Sequence, residues 1–90
     1  MSLGWKKRYI TLVENTKMST YDRPFLSMVS DEEIRVENHQ GIVEYTSSEV
    51  VIKTLKFFVK VVGENLSIDC LTREDVSITG KIKSVDFEMI

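Results

Sequence analysis

The spacing of hydrophobic and polar residues changes character near Ser30. Before that point, four large apolar residues recur at positions i, i+4, i+7 and i+8 of one helical stripe, namely Trp5, Tyr9, Leu12 and Val13. A helix of about three turns is marginal alone and needs a surface on which to pack. The pattern therefore predicts a short amphipathic helix and a linker over residues 1–20.

After Ser30 the period of the apolar residues becomes two, which is typical of β-strands. Short polar turns separate the runs at intervals of roughly eight to ten residues, and residues 63–65 (Gly-Glu-Asn) are predicted to form one hairpin turn. Such turns leave no room for the crossover helix of a parallel sheet. Residues 21–90 are therefore predicted to form a mainly β domain, a small antiparallel meander or sandwich-like sheet. A β-solenoid is the alternative, although no motif repeats at a fixed period.

Two apolar runs are continuous rather than alternating, residues 50–52 (Val-Val-Ile) and residues 57–59 (Phe-Phe-Val). A strand with only one face on the core would carry a polar residue in the middle of such a run. Both faces are therefore expected to be covered, either within the same chain or by another protein. Phe57, Phe58 and Val62 form the candidate partner surface.

The last run, residues 81–89, breaks its alternation between Ile82 and Val85, just after Gly80. A slip of one residue turns the following side chains to the opposite face of a strand. We therefore expect either a β-bulge near this glycine or burial on both faces.

Composition excludes several function classes. The 90 residues suffice for one domain, and the formal net charge of −2 gives no general attraction to nucleic acid or anionic lipid. No apolar run reaches the length of a membrane-spanning helix, which takes about 20 residues. Lysines that could share a strand face keep a small nucleic-acid-binding barrel as the alternative function: Lys53, Lys56, Lys60, Lys81 and Lys83.

Candidate chemistry is sparse. Cys70 is the single cysteine, so no internal disulfide can form, and its place in an alternating run predicts a small buried hydrophobe. His39 is the single histidine and lies in a polar turn, where we expect a solvated or turn-capping side chain. Neither residue has partners spaced as in a zinc site or a nucleophile–base pair. The prediction is a protein without catalytic residues, metal or cofactor, and an enzyme using Cys70 or His39 is the remaining alternative.

Several segments, taken in order, resemble motifs of the YabP/YqfC family of sporulation proteins, most closely its YqfC-like members. Residues 36–46 are similar to the ENH-x-G-I-x-EY signature, and residues 63–68 to the G-x-N/D-L-x-I element. Residues 76–87 resemble the ending I-x-G-[KR]-I-x-S-[IVL]-x-[FY]. Residues 24–29 and 51–54 resemble two further strands of the family, so that the resemblance extends from residue 21 to residue 87.

This resemblance implies a non-enzymatic interaction or scaffold module acting in bacterial endospore formation, in assembly of the spore envelope or coat. It implies a cytoplasmic location in the sporulating cell or at the forespore envelope. The implied partner is another sporulation protein, membrane-associated or not, or a second copy of the chain. The signature positions are structural: Asn38, Gly41, Tyr45, Gly80, Lys81 and Ser84.

Overall fold

The computed structural model describes residues 23–90, so the helix predicted over residues 1–20 lies outside the described residues. The described residues form six strands: β1 (Phe25–Val29), β2 (Glu33–Glu37), β3 (Gly41–Tyr45), β4 (Glu49–Lys53), β5 (Phe57–Leu71) and β6 (Asp75–Met89). They form one sheet in the order β1-β2-β6-β5-β4-β3, and every neighbouring pair is antiparallel. The mainly β, antiparallel prediction is confirmed.

Three of the turns are built on a threonine that precedes a strand by three residues. Thr46, Thr54 and Thr72 each accept a hydrogen bond on Oγ1 from the backbone N–H three residues later, at 3.0, 3.0 and 2.9 Å. Each also donates its own N–H to the carbonyl of that later residue, at 2.8, 2.9 and 2.8 Å. Local side-chain bonding of this kind gives the backbone an alternative to continuing a strand. The chain therefore reverses at these threonines.

The two 15-residue strands β5 and β6 form a long hairpin. The sheet has two halves, and each half contains a part of both strands. The second part of β5 and the first part of β6 extend the β1–β2 hairpin, because β2 pairs with residues 75–79. The first part of β5 and the second part of β6 extend the β3–β4 hairpin, because β4 pairs with residues 58–62. The buried side chains of both halves form one cluster. The sheet therefore folds over on itself like a sandwich, with the inner faces of its halves packed together.

Ten apolar side chains from both halves make up the core. Strand alternation places them on the inner faces, where each is at most 6 % exposed. They are Ile34, Val36, Val50, Ile52, Val59, Val61, Leu66, Val76, Ile78 and Ile82. Because these residues include strand positions from both short hairpins and from the long one, neither half has a core of its own.

We call the bend of the long hairpin, at residues 63–66 of β5 and 80–82 of β6, the fold line. The turn of each short hairpin supplies hydrogen bonds there. Carbonyls in the turn between β1 and β2 accept N–H bonds from Gly80 and Ile82, at 3.1 and 2.7 Å. Carbonyls in the turn between β3 and β4 accept them from Gly63 and Leu66, at 3.0 and 2.8 Å. The two arrangements match, so backbone donors that the bulges remove from the strand ladder still have partners.

Backbone crowding at the fold line explains two glycines. A Cβ on Gly63 would overlap the carbonyl oxygen of Lys81, and a Cβ on Gly80 would lie 2.6 Å from the carbonyl oxygen of Asn65. Gly80 also has a φ of +136°, which side chains rarely adopt. The two strands of the long hairpin can approach this closely only because both positions lack a side chain.

The hairpin turn predicted at residues 63–65 is wrong, because β5 runs through these residues to Leu71. These residues lie instead at a β-bulge, where Asn65 has a φ of +54° and the register shifts between Glu64 and Ser67. The break in alternation between Ile82 and Val85 is also a bulge, since Val62 pairs with Ser84 and Gly63 with Ile82.

We expect Gly63→Ala to lower the free energy of unfolding by at least about 2 kcal/mol, because the added methyl group must displace backbone rather than a flexible side chain. Urea denaturation measures this change. Ser67→Ala, at an exposed position of the same strand, is the control and should change stability by less than about 0.5 kcal/mol. Equal stability of the two variants would show that the fold line can open to admit a Cβ.

Candidate interaction surface

The connection between β2 and β3 is only three residues long, although these strands lie in different halves of the sheet. The N–H groups of Asn38 and His39 donate to the carbonyl of Glu74, at 2.7 and 3.3 Å. The N–H of Gln40 donates to the carbonyl of Lys53, at 2.7 Å. Hydrogen bonds to the β5–β6 turn on one side and to β4 on the other therefore hold this crossover across both halves.

His39 is the centre of the crossover and is 8 % exposed. Its Nδ1 accepts the N–H of Gly41 at 2.9 Å, and its Nε2 lies 2.9 Å from the carbonyl oxygen of Thr72. A carbonyl can only accept, so the hydrogen bonds assign the neutral tautomer with the proton on Nε2. The expectation of a solvated side chain is wrong. His39 caps the turn, as the other expectation had it, from a buried position.

The remaining signature residues of this segment have separate places. Asn38 has a φ of +66° and donates its side-chain amide to the carbonyl of Arg23 at 2.8 Å. Gly41 begins β3, and Tyr45 ends it with half of its surface exposed. Asn38 and Gly41 therefore shape the crossover, whereas Tyr45 lies at the far end of an outer strand.

The second group of signature residues lies along the fold line. Gly80 and Lys81 follow each other in β6, where Lys81 is opposite Glu64 and exposes its side chain. Ser84 lies beyond the bulge, opposite Val62, and is also exposed. The structure therefore brings Gly80 and the Lys81 backbone to the close contact of the long hairpin and leaves Ser84 on the surface.

The candidate partner residues divide between the two faces of β5. Phe57 turns toward the inner face, where its ring meets that of Phe87 edge to face with centroids 4.9 Å apart. Phe58 and Val62 lie on the outward face, opposite Glu88 and Ser84 of β6. Both are half-buried. The three residues do not form one surface, and the continuous apolar run reflects two partly covered faces.

The outward face around Phe58 and Val62 carries charges of both signs. Lys60 forms an ion pair with Glu49, with Nζ and Oε2 3.3 Å apart. A hydrogen bond and charge attraction from Glu49 raise the pKa of Lys60, and the charges of Glu88 and Asp86 raise it further. One ammonium group therefore lies in the field of three carboxylates.

Within residues 23–90, the second part of β6 has a paired strand on one side only. Its residues 84–89 pair continuously with residues 57–62 of β5, whereas the pairing with β2 on the other side covers only residues 75–79. Its outward side chains include Asp86 and Glu88, and its inward ones are Val85, Phe87 and Met89. Phe87 is 57 % exposed and Met89 79 %. We call residues 84–89 the β6 edge.

The sequence pattern predicts a strand over residues 81–89 but no binding site there. Its signal is the alternation of apolar and acidic residues at the end of the chain. That pattern also fits a strand with neighbours on both sides. The strand order decides the matter, and it depends on contacts between distant segments that no local pattern records.

Cys70 is exposed, so the expected burial of this thiol is wrong. A register shift between Ile68 and Cys70 is the cause: Ile68 pairs with Ile78 and Cys70 with Ser77, which places Cys70 on the outward face. Leu71 then takes the position opposite the buried Val76. A single bulge residue thus exchanges the inward and outward positions at Cys70 and Leu71, the end of β5.

Within residues 23–90, no group of three or more histidine, cysteine, aspartate or glutamate side chains is arranged to hold a metal ion. The same residues contain no helix of the length and apolarity required to cross a bilayer. Every buried side-chain nitrogen or oxygen in this part of the chain has a hydrogen-bond partner.

We expect His39→Ala to lower the free energy of unfolding by about 1–3 kcal/mol, because it leaves the Gly41 N–H and the Thr72 carbonyl without their partner. Chemical denaturation of the full chain measures the loss. Gln40→Ala, which changes the exposed neighbour, should cost less than about 0.5 kcal/mol. If both variants unfold at the same denaturant concentration, the histidine does not hold the crossover.

One comparison with known proteins gave a match. The model of the YabP family matches residues 22–89, which include all six strands. No curated protein and no solved structure gave a match. The match confirms the resemblance noted from the sequence motifs at the level of this family. The chain belongs to the YabP family, a sporulation-associated family.

Proposed function

We propose that this protein is a YqfC-like member of its family and acts as a non-enzymatic interaction or scaffold module during endospore formation. Membership of a sporulation-associated family supports the setting. One observation carries the interaction role, namely the β6 edge, which no described strand covers and which exposes apolar side chains. The partner is another sporulation protein, and the contact serves assembly of the spore envelope or coat.

The exposed apolar side chains at this edge are neighbours rather than scattered singles. Met89 lies directly opposite Phe57, whose ring contacts Phe87. Phe87 and Met89 are both more than half exposed, and Ile90 beside them is 65 % exposed. Adjacent exposed apolar residues, beside backbone that no described strand pairs with, favour association with another protein.

The arrangement of the two reactive side chains favours binding over catalysis. Both ring nitrogens of His39 are engaged with backbone groups at 2.9 Å. To act as a base, this ring would have to give up the hydrogen bond from Gly41 that holds the crossover. Cys70 lies on the outward face of β5, opposite Ser77.

The proposed location is the cytoplasm of the sporulating cell, with the bound partner at the forespore envelope. A chain with one cysteine relies on no internal disulfide, which suits a reducing compartment. The nucleic-acid alternative is not favoured, because the lysines of the outward face share it with carboxylates. Lys60 is paired with Glu49, and Lys83 with Glu64 at 2.7 Å.

We expect Met89→Glu to reduce spore yield and to abolish recovery of the partner when the full chain is used as bait in sporulating cells. The substitution puts a charge among exposed apolar side chains without removing a core residue. Val29→Glu is the matched control, since Val29 is 61 % exposed on the β1 edge in the other half of the sheet.

Both variants should unfold within about 0.5 kcal/mol of the unchanged protein, so that loss of binding is not loss of fold. Normal spore yield and normal partner recovery with Met89→Glu would contradict an interaction role for this edge. If Met89→Glu and Val29→Glu both lower spore yield and partner recovery, the interaction does not depend specifically on the β6 edge.

A further inference from the structure

We infer that the β6 edge binds an extended protein segment in which lysine or arginine alternates with large apolar residues. The segment adds to the sheet as a further antiparallel strand beside residues 84–89. This inference rests on the proposed interaction function and gives the chemistry of its partner.

The backbone of the β6 edge has the extended conformation that such a strand needs for pairing. Residues 84–89 are extended and pair without interruption with β5, so alternate residues turn their N–H and C=O groups away from that neighbour. Among the described residues, the last backbone bond on the open side is the one that the N–H of Ile82 donates to the carbonyl of Asp31, at 2.7 Å. An incoming strand therefore meets aligned donors and acceptors and needs no rearrangement of the sheet.

The outward side chains give the edge a negative character. Asp86 and Glu88 are both exposed and lie on one face, two residues apart. The nearest cation across the strands, Lys60, is opposite Asp86 but is already paired with Glu49 at 3.3 Å. Lysine or arginine at alternate positions of an added strand would lie beside these two carboxylates, and opposite charges across strands stabilise pairing.

The inward side chains require apolar neighbours at the intervening positions. Val85 is half-buried and packs against the core, whereas Phe87 and Met89 project beyond it with 57 % and 79 % of their surfaces exposed. Large apolar residues on the same face of the added strand would cover both side chains. The alternation of the edge thus specifies a complementary alternation in the ligand.

A second copy of the same edge does not fit this requirement. Antiparallel pairing of two β6 edges on a common face sets Asp86 and Glu88 against the same acidic residues of the copy. Like charges directly opposite each other destabilise strand pairing. The acidic pattern therefore selects a different partner and disfavours edge-to-edge dimers.

The other open edges lack one of these features. The β3 edge is interrupted by a register shift between Ile42 and Glu44, and the second part of β5 by one between Ile68 and Cys70. The β1 edge pairs regularly with β2 but carries no ionisable side chain in its five residues. In the described part of the chain, continuous pairing and alternating acidic charge occur together only at the β6 edge.

The test measures fluorescence anisotropy of a capped nine-residue peptide of alternating valine and lysine with the full chain. We expect saturable binding that weakens with added salt. The double variant Asp86→Lys/Glu88→Lys should weaken it at least tenfold. Glu32→Lys/Asp69→Lys makes the same change of charge at exposed positions away from this edge and should leave the affinity within about twofold.

Two control peptides separate strand addition from charge attraction. A peptide with glutamate in place of lysine should not bind, and one with a central proline should bind at least tenfold more weakly, because proline cannot donate to the ladder. Equal affinity for the proline peptide, or no effect of Asp86→Lys/Glu88→Lys, would overturn the inference.

The interaction function can survive that failure. If no peptide binds, yet Met89→Glu still loses the partner in cells, the edge is an interface for a ligand of different chemistry. If instead the free protein sediments as a dimer that Met89→Glu dissociates, the occupant is a second copy and the inference is wrong. If peptides bind as expected but Met89→Glu has no effect in cells, the edge is a strand acceptor and the proposed function fails.

Discussion

The close backbone contact at the fold line is the constraint on which the rest of the structure depends. The two strands of the long hairpin approach each other at Gly63 and Gly80 more tightly than any side chain would allow. Because they do, the sheet folds over, and the apolar faces of its two halves meet in one core. The carbonyls of the two short hairpin turns then complete the hydrogen bonds that the bulges interrupt. A side chain at either glycine would push these two backbones apart.

Local patterns predicted the strands well because their causes are local. The period of two identified most of the runs that became strands. The error at residues 63–65 is instructive, since glycine and asparagine favour a left-handed or open backbone both in a hairpin turn and in a bulge. Which of the two forms depends on whether a partner strand continues alongside. Here β6 does so, and β5 bends instead of reversing.

Side-chain environment was less predictable than secondary structure for the same reason. The burial of His39 depends on Thr72, which lies 33 residues away along the chain. Exposure of Cys70 depends on one extra residue in the β5–β6 register, and the sequence contains no mark of it. The family motif drew attention to Asn38 and Gly41, which prove to shape the crossover between the halves. The sequence indicates the β6 edge only as an alternating run. Its open side follows from the strand order.

The sharing of β5 and β6 by both halves has a consequence for energetics. Neither half retains its central strands if the other melts, so the described sheet is expected to unfold in one cooperative step. A ligand that binds one outer strand of such a unit stabilises the whole of it by mass action, including the distant β1–β2 hairpin. A ligand bound at the end of β6 would thereby make the crossover and the opposite rim of the molecule more resistant to unfolding, without any change of shape.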